Sequence, residues 1–374
     1  MTPKTPIPHR IFQRGLAAVA TTAACLGLAT GAIAQQEDDR YVILISCDGL
    51  RPDAVEKLGA EAMPNLFRLI EEGASTQNAR TDNTYTVTLP NHTSMVTGRP
   101  VDGAAGHNWT GNGTPGLGQM LHRNKKSYLR SMFGVAHDHG MRTCLFSSKT
   151  KFILYDRSYD ERTGKPDMVG EDNGKDKIDT FVFDEDIEVL MGRYLEAMGE
   201  KPFQLSMLHQ RDTDTAGHAS GWDLSDGSPY MKAAMRIDGE VGRLLQLIDS
   251  DGRFQGKTSI ILTADHGGRM ETKTHLAADD WRNFTIPFIV WGPGVQAGAE
   301  LYEINSQRRQ DPGNDNPAYD AAGAAPIRNG DAGNLALMLL GLPPIEGSSI
   351  NASQDLKVAP EQFPAAAQPA DPKS

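Results

Sequence analysis

Apolar stretches of strand length alternate along the chain with stretches in which apolar residues recur at helical spacing. The first kind is rich in β-branched residues and has the length of strands buried on both faces; it occurs at residues 41–46, 142–148, 203–208, 259–264 and 286–292. The second kind occurs at residues 63–73, 184–199 and 230–249. This alternation predicts an α/β fold in which a mostly parallel central sheet lies between two layers of helices.

The two ends of the chain differ from the segment between them. Residues 1–34 begin with a basic segment, continue as an Ala/Leu-rich stretch and end in an A-x-A pattern at Ala34. This order is typical of a signal peptide cleaved near Ala34, which predicts a periplasmic or secreted protein. Residues 35–353 are predicted to form a single domain with long loop insertions, and residues 354–374, rich in Ala and Pro, a disordered tail.

The charge of the chain limits its kinds of partner. The net charge is −11 at pH 7, and loss of the leader, with Lys4, Arg10 and Arg14 and no acidic residue, makes it −14. An acidic surface disfavours duplex nucleic acid and anionic membranes, but a small phosphoester can still bind where metal ions supply positive charge. No later segment reaches the roughly 20 apolar residues of a membrane span. The oligomeric state and a bridge between Cys47 and Cys144 stay open.

Carboxylate and histidine side chains follow three of the predicted strands, where functional groups of parallel sheets gather. Carboxylate and imidazole groups are zinc ligands, and three per ion leave an open position. Spacing alone does not fix how they group, and a single Asp at a strand end is more often a helix cap or a turn residue. The six candidates form two sets of three: Asp48, Asp265 and His266, and Asp214, His218 and His275.

Five motifs occur in the order and approximate spacing of one known family: "ILISCDGLRPD", "TLPNHTSMVTG", "DTDTAGH", "TADHGG" and "IPFIVWGPGV". Over residues 41–345 the chain resembles the nucleotide pyrophosphatase/phosphodiesterase family of the alkaline phosphatase superfamily. The resemblance implies an alkaline-phosphatase-like three-layer α/β/α sandwich. It also implies two zinc ions, one bound by Asp48, Asp265 and His266, the other by Asp214 and His218. The third ligand of the second ion often lies farther along the chain in the family; here it is assigned to His275, because no histidine follows it.

The same resemblance implies a nucleophile. Thr88 precedes Leu-Pro-Asn and matches the family threonine or serine that attacks phosphorus; zinc coordination would make such a hydroxyl nucleophilic. A helix that begins around Pro90 would offer free N–H groups to the phosphoryl oxygens. Asn108 matches a family asparagine that holds a phosphoryl oxygen.

Lys149 and Lys151 bear on the substrate class. They partly match a Lys-x-Arg pair that grips a terminal phosphate in one group of zinc phosphomonoesterases of the superfamily, although Lys lacks the bidentate fork of Arg. The sequence thus predicts an exported two-zinc phosphoesterase that hydrolyses phosphodiester or pyrophosphate bonds of nucleotide-type substrates through a phosphothreonine on Thr88. One alternative is an alkaline phosphomonoesterase that uses the two lysines; the other is a non-catalytic zinc-binding protein on the same scaffold.

Overall fold

The structure, a computed structural model, describes residues 40–359 of the chain. Within this range the strands are β1 (Tyr41–Cys47), β2 (Ala74–Arg80), β3 (Thr143–Ser147), β4 (Thr180–Phe183), β5 (Leu205–Gln210), β6 (Thr258–Thr263), β7 (Thr285–Trp291) and β8 (Ala299–Glu300). They form one sheet with the order β4-β3-β5-β1-β6-β7-β2-β8. Neighbouring strands are parallel except at β7, which is antiparallel to both β6 and β2.

The apolar runs of the sequence correspond to the central strands. Every residue of β1, β3, β5 and β6 is buried, as expected for parallel strands covered on both faces. The predicted α/β class with a mostly parallel sheet is therefore confirmed. Three strands, β2, β4 and β8, fall outside the predictions. β2 has the polar sequence ASTQNAR, and it is held in the sheet by its pairing with β7 rather than by apolar content.

Helices cover the sheet in two groups. Helices α3 (Thr88–Thr97), α5 (Met132–Asp138) and α12 (Asp331–Leu340) pack together, and α12 lies on β1 and β6. The other group consists of α1 (Pro52–Ala62), α2 (Pro64–Glu72), α7 (Ile187–Glu200) and α9 (Pro229–Ser250), with α2 on β7 and α7 on β3. A 3₁₀ turn covers Thr150–Phe152. The helices of the described range are α1 (Pro52–Ala62), α2 (Pro64–Glu72), α3 (Thr88–Thr97), α4 (Leu121–Lys125), α5 (Met132–Asp138), α6 (Ile153–Ser158), α7 (Ile187–Glu200), α8 (Asp212–Ser220), α9 (Pro229–Ser250), α10 (Trp281–Phe284), α11 (Leu301–Ile304) and α12 (Asp331–Leu340).

The predicted ends of the domain need one correction. The signal-peptide prediction for residues 1–34 lies outside the described residues, as does the tail prediction beyond residue 359. Residues 354–359 are described, and they pack on the domain: Leu356 and Val358 are buried, and the Val358 carbonyl accepts a hydrogen bond of 2.8 Å from the Gln296 amide. The domain therefore continues past the predicted boundary at residue 353, because two apolar side chains after that point anchor the segment.

The order of the strands excludes a disulfide between Cys47 and Cys144. Cys47 lies in β1 and Cys144 in β3, and β5 separates the two strands. Neighbouring strands lie about 4.8 Å apart, so the two Cα atoms are farther apart than the roughly 7 Å that a disulfide can span. Both thiols are free and buried. Among residues 40–359, no helix combines the length and the apolar character needed to cross a membrane.

Candidate active site

The six candidate ligands lie together at the carboxyl edge of the sheet. Asp48 follows β1, Asp265 and His266 follow β6, and Asp214 lies in the first turn of α8, directly after β5. His218 is one turn farther along α8. The loop after β6 returns His275 to the same place, where its ring stacks on His266 with 3.6 Å between ring centroids. Parallel strands order this edge, because their carboxyl ends point the same way.

Three histidines share one orientation. In each of them Nδ1 donates to a backbone carbonyl: His218 to Lys273 at 3.0 Å, His266 to Gly267 at 2.8 Å, and His275 to Thr86. A carbonyl can only accept, so Nδ1 carries the proton in all three rings. Burial lowers the pKa of His266 and of His275, so the Nε2 atoms of these two neutral rings present lone pairs, whereas the Asp214 carboxylate raises the pKa of His218. Such backbone hydrogen bonds fix the ring orientation of metal-binding histidines.

The three Nε2 atoms face carboxylate oxygens. Asp214 Oδ1 lies 3.3 Å from His218 Nε2 and 3.7 Å from His275 Nε2, and Asp48 Oδ1 lies 3.4 Å from His266 Nε2. The buried atoms Asp48 Oδ1, Asp214 Oδ1, Asp265 Oδ2 and His266 Nε2 have no hydrogen-bond partner. Lone pairs that face one another without a proton are unfavourable, and a bound cation would satisfy them.

Within residues 40–359, two groups of three residues have the geometry to hold a metal ion. Asp214, His218 and His275 form one, and they are the second predicted zinc set. The other contains Asp48 and His266 of the first predicted set with Asp214 in place of Asp265. Asp265 remains adjacent, since its Oδ2 lies 3.3 Å from His266 Nε2 while its Oδ1 accepts from the Gly49 amide at 3.1 Å. The mixed nitrogen and oxygen donor set fits zinc.

The carboxyl groups of the site differ in their affinity for protons. Burial alone would raise the pKa of Asp48, but the Lys149 ammonium and the hydrogen bond from His209 hold that pKa well below its usual value. Burial and the Asp48 charge also oppose ionisation of Asp214, yet His218 and Lys149 keep its pKa low. At Asp265, burial and the charge of Asp48 raise the pKa well above its usual value. Extra positive charge would be needed to ionise all three together.

Lys149 and His209 reach this cluster from neighbouring strands. Lys149 Nζ lies 2.5 Å from Asp48 Oδ2 and 2.7 Å from Asp214 Oδ2, and its pKa is raised because these charges outweigh burial. His209, the fifth residue of β5, contacts Asp48 Oδ2 with Nε2 at 2.8 Å. His209 was not predicted from the sequence, since a histidine inside an apolar strand has no motif around it; its position five residues before Asp214 is the only signal.

Thr88 is the first residue of α3, and contacts on either side connect it to the cluster. Thr86, two residues earlier, exchanges hydrogen bonds with the backbone and ring of His275. His92, one turn later, donates from Nδ1 to the Thr88 carbonyl at 2.8 Å, and the same nitrogen is 3.6 Å from Asp265 Oδ2. These contacts hold the backbone of Thr88 next to the candidate ligands.

The asparagine at this helix start is Asn112 rather than Asn108. Asn108 has an exposed side chain and a positive φ of 61°, and its carbonyl accepts from Asn124. Asn112 Oδ1 accepts from the Leu89 amide at 3.0 Å and from Lys151 Nζ at 3.1 Å. Fewer free N–H groups than expected remain at the start of α3, because the Leu89 amide donates to Asn112 and Pro90 has no N–H group.

Comparisons with known proteins bear on this site. Residues 42–330 match the family model of type I phosphodiesterase / nucleotide pyrophosphatase. The chain is 28% identical over 182 residues to GPI ethanolamine phosphate transferase 1 of Aspergillus oryzae, covering 44% of this chain and 16% of that protein. It is 25% identical over 273 residues to the same-named protein of Homo sapiens, covering 69% of this chain and 27% of that protein. The chain thus spans about a quarter or less of these curated relatives.

Solved structures share the fold. Murine ectonucleotide pyrophosphatase / phosphodiesterase 5 in complex with AMP superposes with a TM-score of 0.54 and 14% identity, over 85% of this chain and 99% of that chain. A putative sulfatase from Bacteroides thetaiotaomicron superposes with a TM-score of 0.56 and 14% identity, over 87% of this chain and 76% of that chain. These similarities support the alkaline-phosphatase-like three-layer sandwich.

Proposed function

The chain belongs to the type I phosphodiesterase / nucleotide pyrophosphatase family, and from that premise we propose that it is a two-zinc phosphoesterase that cleaves phosphodiester or pyrophosphate bonds through a phosphothreonine on Thr88. The observation that carries the proposal is the orientation of three histidines, whose Nε2 atoms face the unpaired oxygens of Asp48 and Asp214 beside the start of α3. A bound cation would satisfy these atoms, which supports the proposal.

The residues that would hold the ions are Asp48, Asp265 and His266 for one, and Asp214, His218 and His275 for the other, with Asp214 able to reach both. Zinc bound by these residues would lower the pKa of a nearby hydroxyl and neutralise phosphoryl oxygens. The chain's own contribution is the placement of donors. Backbone hydrogen bonds fix the rings, and the sheet edge fixes the carboxylates.

The reaction at Thr88 has two steps. Thr88 Oγ1 attacks phosphorus and loses its proton to solvent; the bond to the leaving oxygen breaks, and that oxygen takes a proton from water. Water then attacks the phosphothreonine, the Oγ1–P bond breaks, and Thr88 regains a proton. Asn112 and Lys151, which contact each other beside the Leu89 amide, are the groups placed to bind phosphoryl oxygens.

Substitution of Thr88 tests the proposal. Thr88→Ala should lower hydrolysis of bis-p-nitrophenyl phosphate by at least about 10³-fold, since the nucleophile is lost, while zinc content stays near that of the wild type. Thr88→Ser keeps a hydroxyl and should retain measurable turnover. A Thr88→Ala protein with undiminished activity would contradict the assignment. A wild type that binds zinc but cleaves no phosphoester would favour the non-catalytic alternative.

The monoesterase alternative depends on the two lysines. Both Lys149 contacts go to carboxylates of the cluster, so its ammonium is not free for a terminal phosphate, whereas Lys151 lies beside Asn112. This arrangement favours a diester or pyrophosphate substrate over a monoester. Comparing kcat/KM for bis-p-nitrophenyl phosphate and p-nitrophenyl phosphate separates the two functions, and a large preference for the monoester would decide for the alternative.

Similarity to two ethanolamine phosphate transferases supports a second candidate function, transfer of a phosphoryl-linked group to an alcohol. In that case an alcohol rather than water attacks the phosphothreonine, and the acceptor's hydroxyl proton passes to solvent. With bis-p-nitrophenyl phosphate and excess ethanolamine, transfer should yield a new diester of the acceptor. Mass spectrometry that finds only p-nitrophenyl phosphate and its hydrolysis products would exclude transfer to this acceptor.

A further inference from the structure

We propose that His209 is a positioning residue: it binds Asp48 Oδ2 and thereby turns Asp48 Oδ1 toward His266, which sets the affinity of the site for zinc. This inference deepens the proposed function and rests on it, because it concerns the same site. His209 belongs to neither group of candidate ligands, and its role would be exercised through the Asp48 carboxylate.

The two carboxylate oxygens of Asp48 have different contacts. Oδ2 accepts from His209 Nε2 at 2.8 Å and from Lys149 Nζ at 2.5 Å, so its bonding capacity is used. Oδ1 is buried, has no hydrogen-bond partner, and lies 3.4 Å from His266 Nε2. A carboxylate held by one oxygen in this way cannot rotate freely, and the free oxygen keeps its direction.

The sheet fixes His209 itself. β5 pairs with β1 so that His209 lies opposite Ser46, and the Asp48 amide donates to the Gln210 carbonyl at 2.9 Å. The His209 ring is completely buried, with Phe152 at a centroid distance of 4.2 Å and Ser148 Oγ 3.3 Å from Nδ1. A donor on a central strand, packed from several sides, is placed more precisely than a donor on a loop.

Partners of this kind have a measurable effect. Loss of a hydrogen bond that orients a metal ligand weakens metal affinity by about 10–100-fold. Lys149 shares the same oxygen of Asp48, but removal of its charge would change the electrostatic attraction for a cation as well as the orientation of the carboxylate. Since His209 contributes a neutral donor, its substitution isolates the effect on orientation.

Two pairs of variants test the proposal. His209→Gln keeps an amide donor near the position of Nε2, while the shorter His209→Asn cannot reach Asp48; the two differ only in reach. His209→Leu removes the donor, and His107→Leu is its matched control, because His107 is equally buried but contacts Ser94 and the Pro90 carbonyl instead of the cluster. Zinc affinity is measured at fixed pH by competition with a chelator, and thermal unfolding of the zinc-free proteins checks the fold.

We expect zinc affinity to fall about 10–100-fold in His209→Asn and His209→Leu, to stay within about 3-fold of the wild type in His209→Gln, and not to change in His107→Leu. If His209→Leu does not fold, the Gln and Asn pair decides. Equal zinc affinity in those two variants would overturn the proposal. A wild type that binds zinc with the expected pattern among the variants but hydrolyses no phosphoester would contradict only the proposed function.

Discussion

Two clusters of Asp, His and Lys side chains, buried except for His218, can be compared within this domain. The first is the set of candidate ligands at the carboxyl edge of the sheet. The second, here named the loop clasp, consists of His137, Asp138, Asp167 and Lys177 and joins α5 to the segment between α6 and β4. Lys177 Nζ contacts Asp167 and lies 3.4 Å from Asp138 Oδ1, and His137 Nδ1 is 3.0 Å from Asp167 Oδ1.

The two clusters differ in how their charges are balanced. In the loop clasp, Lys177 and Arg130, whose Nη2 is 2.5 Å from Asp138 Oδ2, face two carboxylates. At the sheet edge, three carboxyl groups face the single ammonium of Lys149, and four buried polar atoms have no partner. Residue types alone would not separate the clusters. The balance of charge separates them, and so does the number of buried atoms without a hydrogen-bond partner, which is four at the sheet edge and one, Asp138 Oδ1, in the loop clasp. We therefore interpret the first cluster as a candidate cation site and the second as a structural device.

The largest difference is expected for a matched pair of Asp→Asn substitutions. Asp214 belongs to both candidate metal groups, so Asp214→Asn should remove most bound zinc and lower phosphoester hydrolysis by about 10³-fold, which corresponds to the several kcal/mol that bound metal contributes. Asp167→Asn in the loop clasp should leave zinc content unchanged. Both quantities come from elemental analysis and a standard assay; loss of zinc in Asp167→Asn would break the comparison.

Removal of Lys177 tests whether the loop clasp stabilises the fold. Lys177→Met would leave the carboxylates of Asp138 and Asp167 without their buried cation, and breaking a buried ion pair costs about 3–5 kcal/mol. We expect that decrease in the free energy of unfolding, measured by urea denaturation, with zinc affinity unchanged. Lys175→Met changes an exposed lysine two residues away and should stay within about 0.5 kcal/mol of the wild type. Equal stability of the two variants would show that the loop clasp is not structural.

A smaller effect distinguishes two asparagines near the start of α3. Asn112→Ala should lower kcat for diester hydrolysis by about 100-fold, because a donor to the phosphoryl oxygens is lost beside Thr88. Asn108→Ala should leave kcat close to the wild-type value, since the Asn108 side chain is exposed. Steady-state kinetics of both variants give the answer. A loss of kcat in Asn108→Ala but not in Asn112→Ala would favour Asn108, as predicted from the sequence, as the residue that binds a phosphoryl oxygen.

These asparagines also show how far the sequence could predict the site. Residues at the ends of buried parallel strands, such as Asp48 and Asp265, obey a general rule of α/β sheets, and the structure places them together. Asn112 lies in a loop without periodicity, where a count of residues from Thr88 cannot fix which asparagine turns back to the helix. The local path of the loop decides that, and it depends on tertiary contacts such as the one between Asn112 and Lys151.

The elements of the fold also differ in how well the sequence predicts them. Strands that are buried on both faces carry an apolar signal, and β1, β3, β5, β6 and β7 were predictable from it. β2 lacks that signal, because its conformation comes from pairing with β7. Lys177 of the loop clasp lies in a segment that looks like a surface loop by composition, yet it is buried. Burial of a charged residue depends on partners far along the chain, and no local pattern records them.

A buried histidine outside both clusters offers the smallest expected effect, and it tests whether burial alone changes a histidine. His107 is fully buried, and its ring contacts the Pro90 carbonyl and Ser94 beneath α3; burial lowers its pKa to about 3. The unfolded chain has a histidine pKa of about 6.5 and takes up the proton first. Stability from this residue is therefore complete above pH 6.5 and is lost as the pH falls toward 3.

The measurement compares the pH dependence of the unfolding free energy between the wild type and His107→Asn. Wild type should lose about 1 kcal/mol of unfolding free energy between pH 7.5 and 5.5 that His107→Asn does not lose, because the variant has no group to protonate there. Any constant cost of the substitution cancels when the slopes of unfolding free energy against pH are compared. Parallel slopes would mean that His107 can take up a proton in the folded protein. In that case burial alone does not keep a histidine neutral, and burial could no longer account for the lowered pKa of His266 and His275 at the sheet edge.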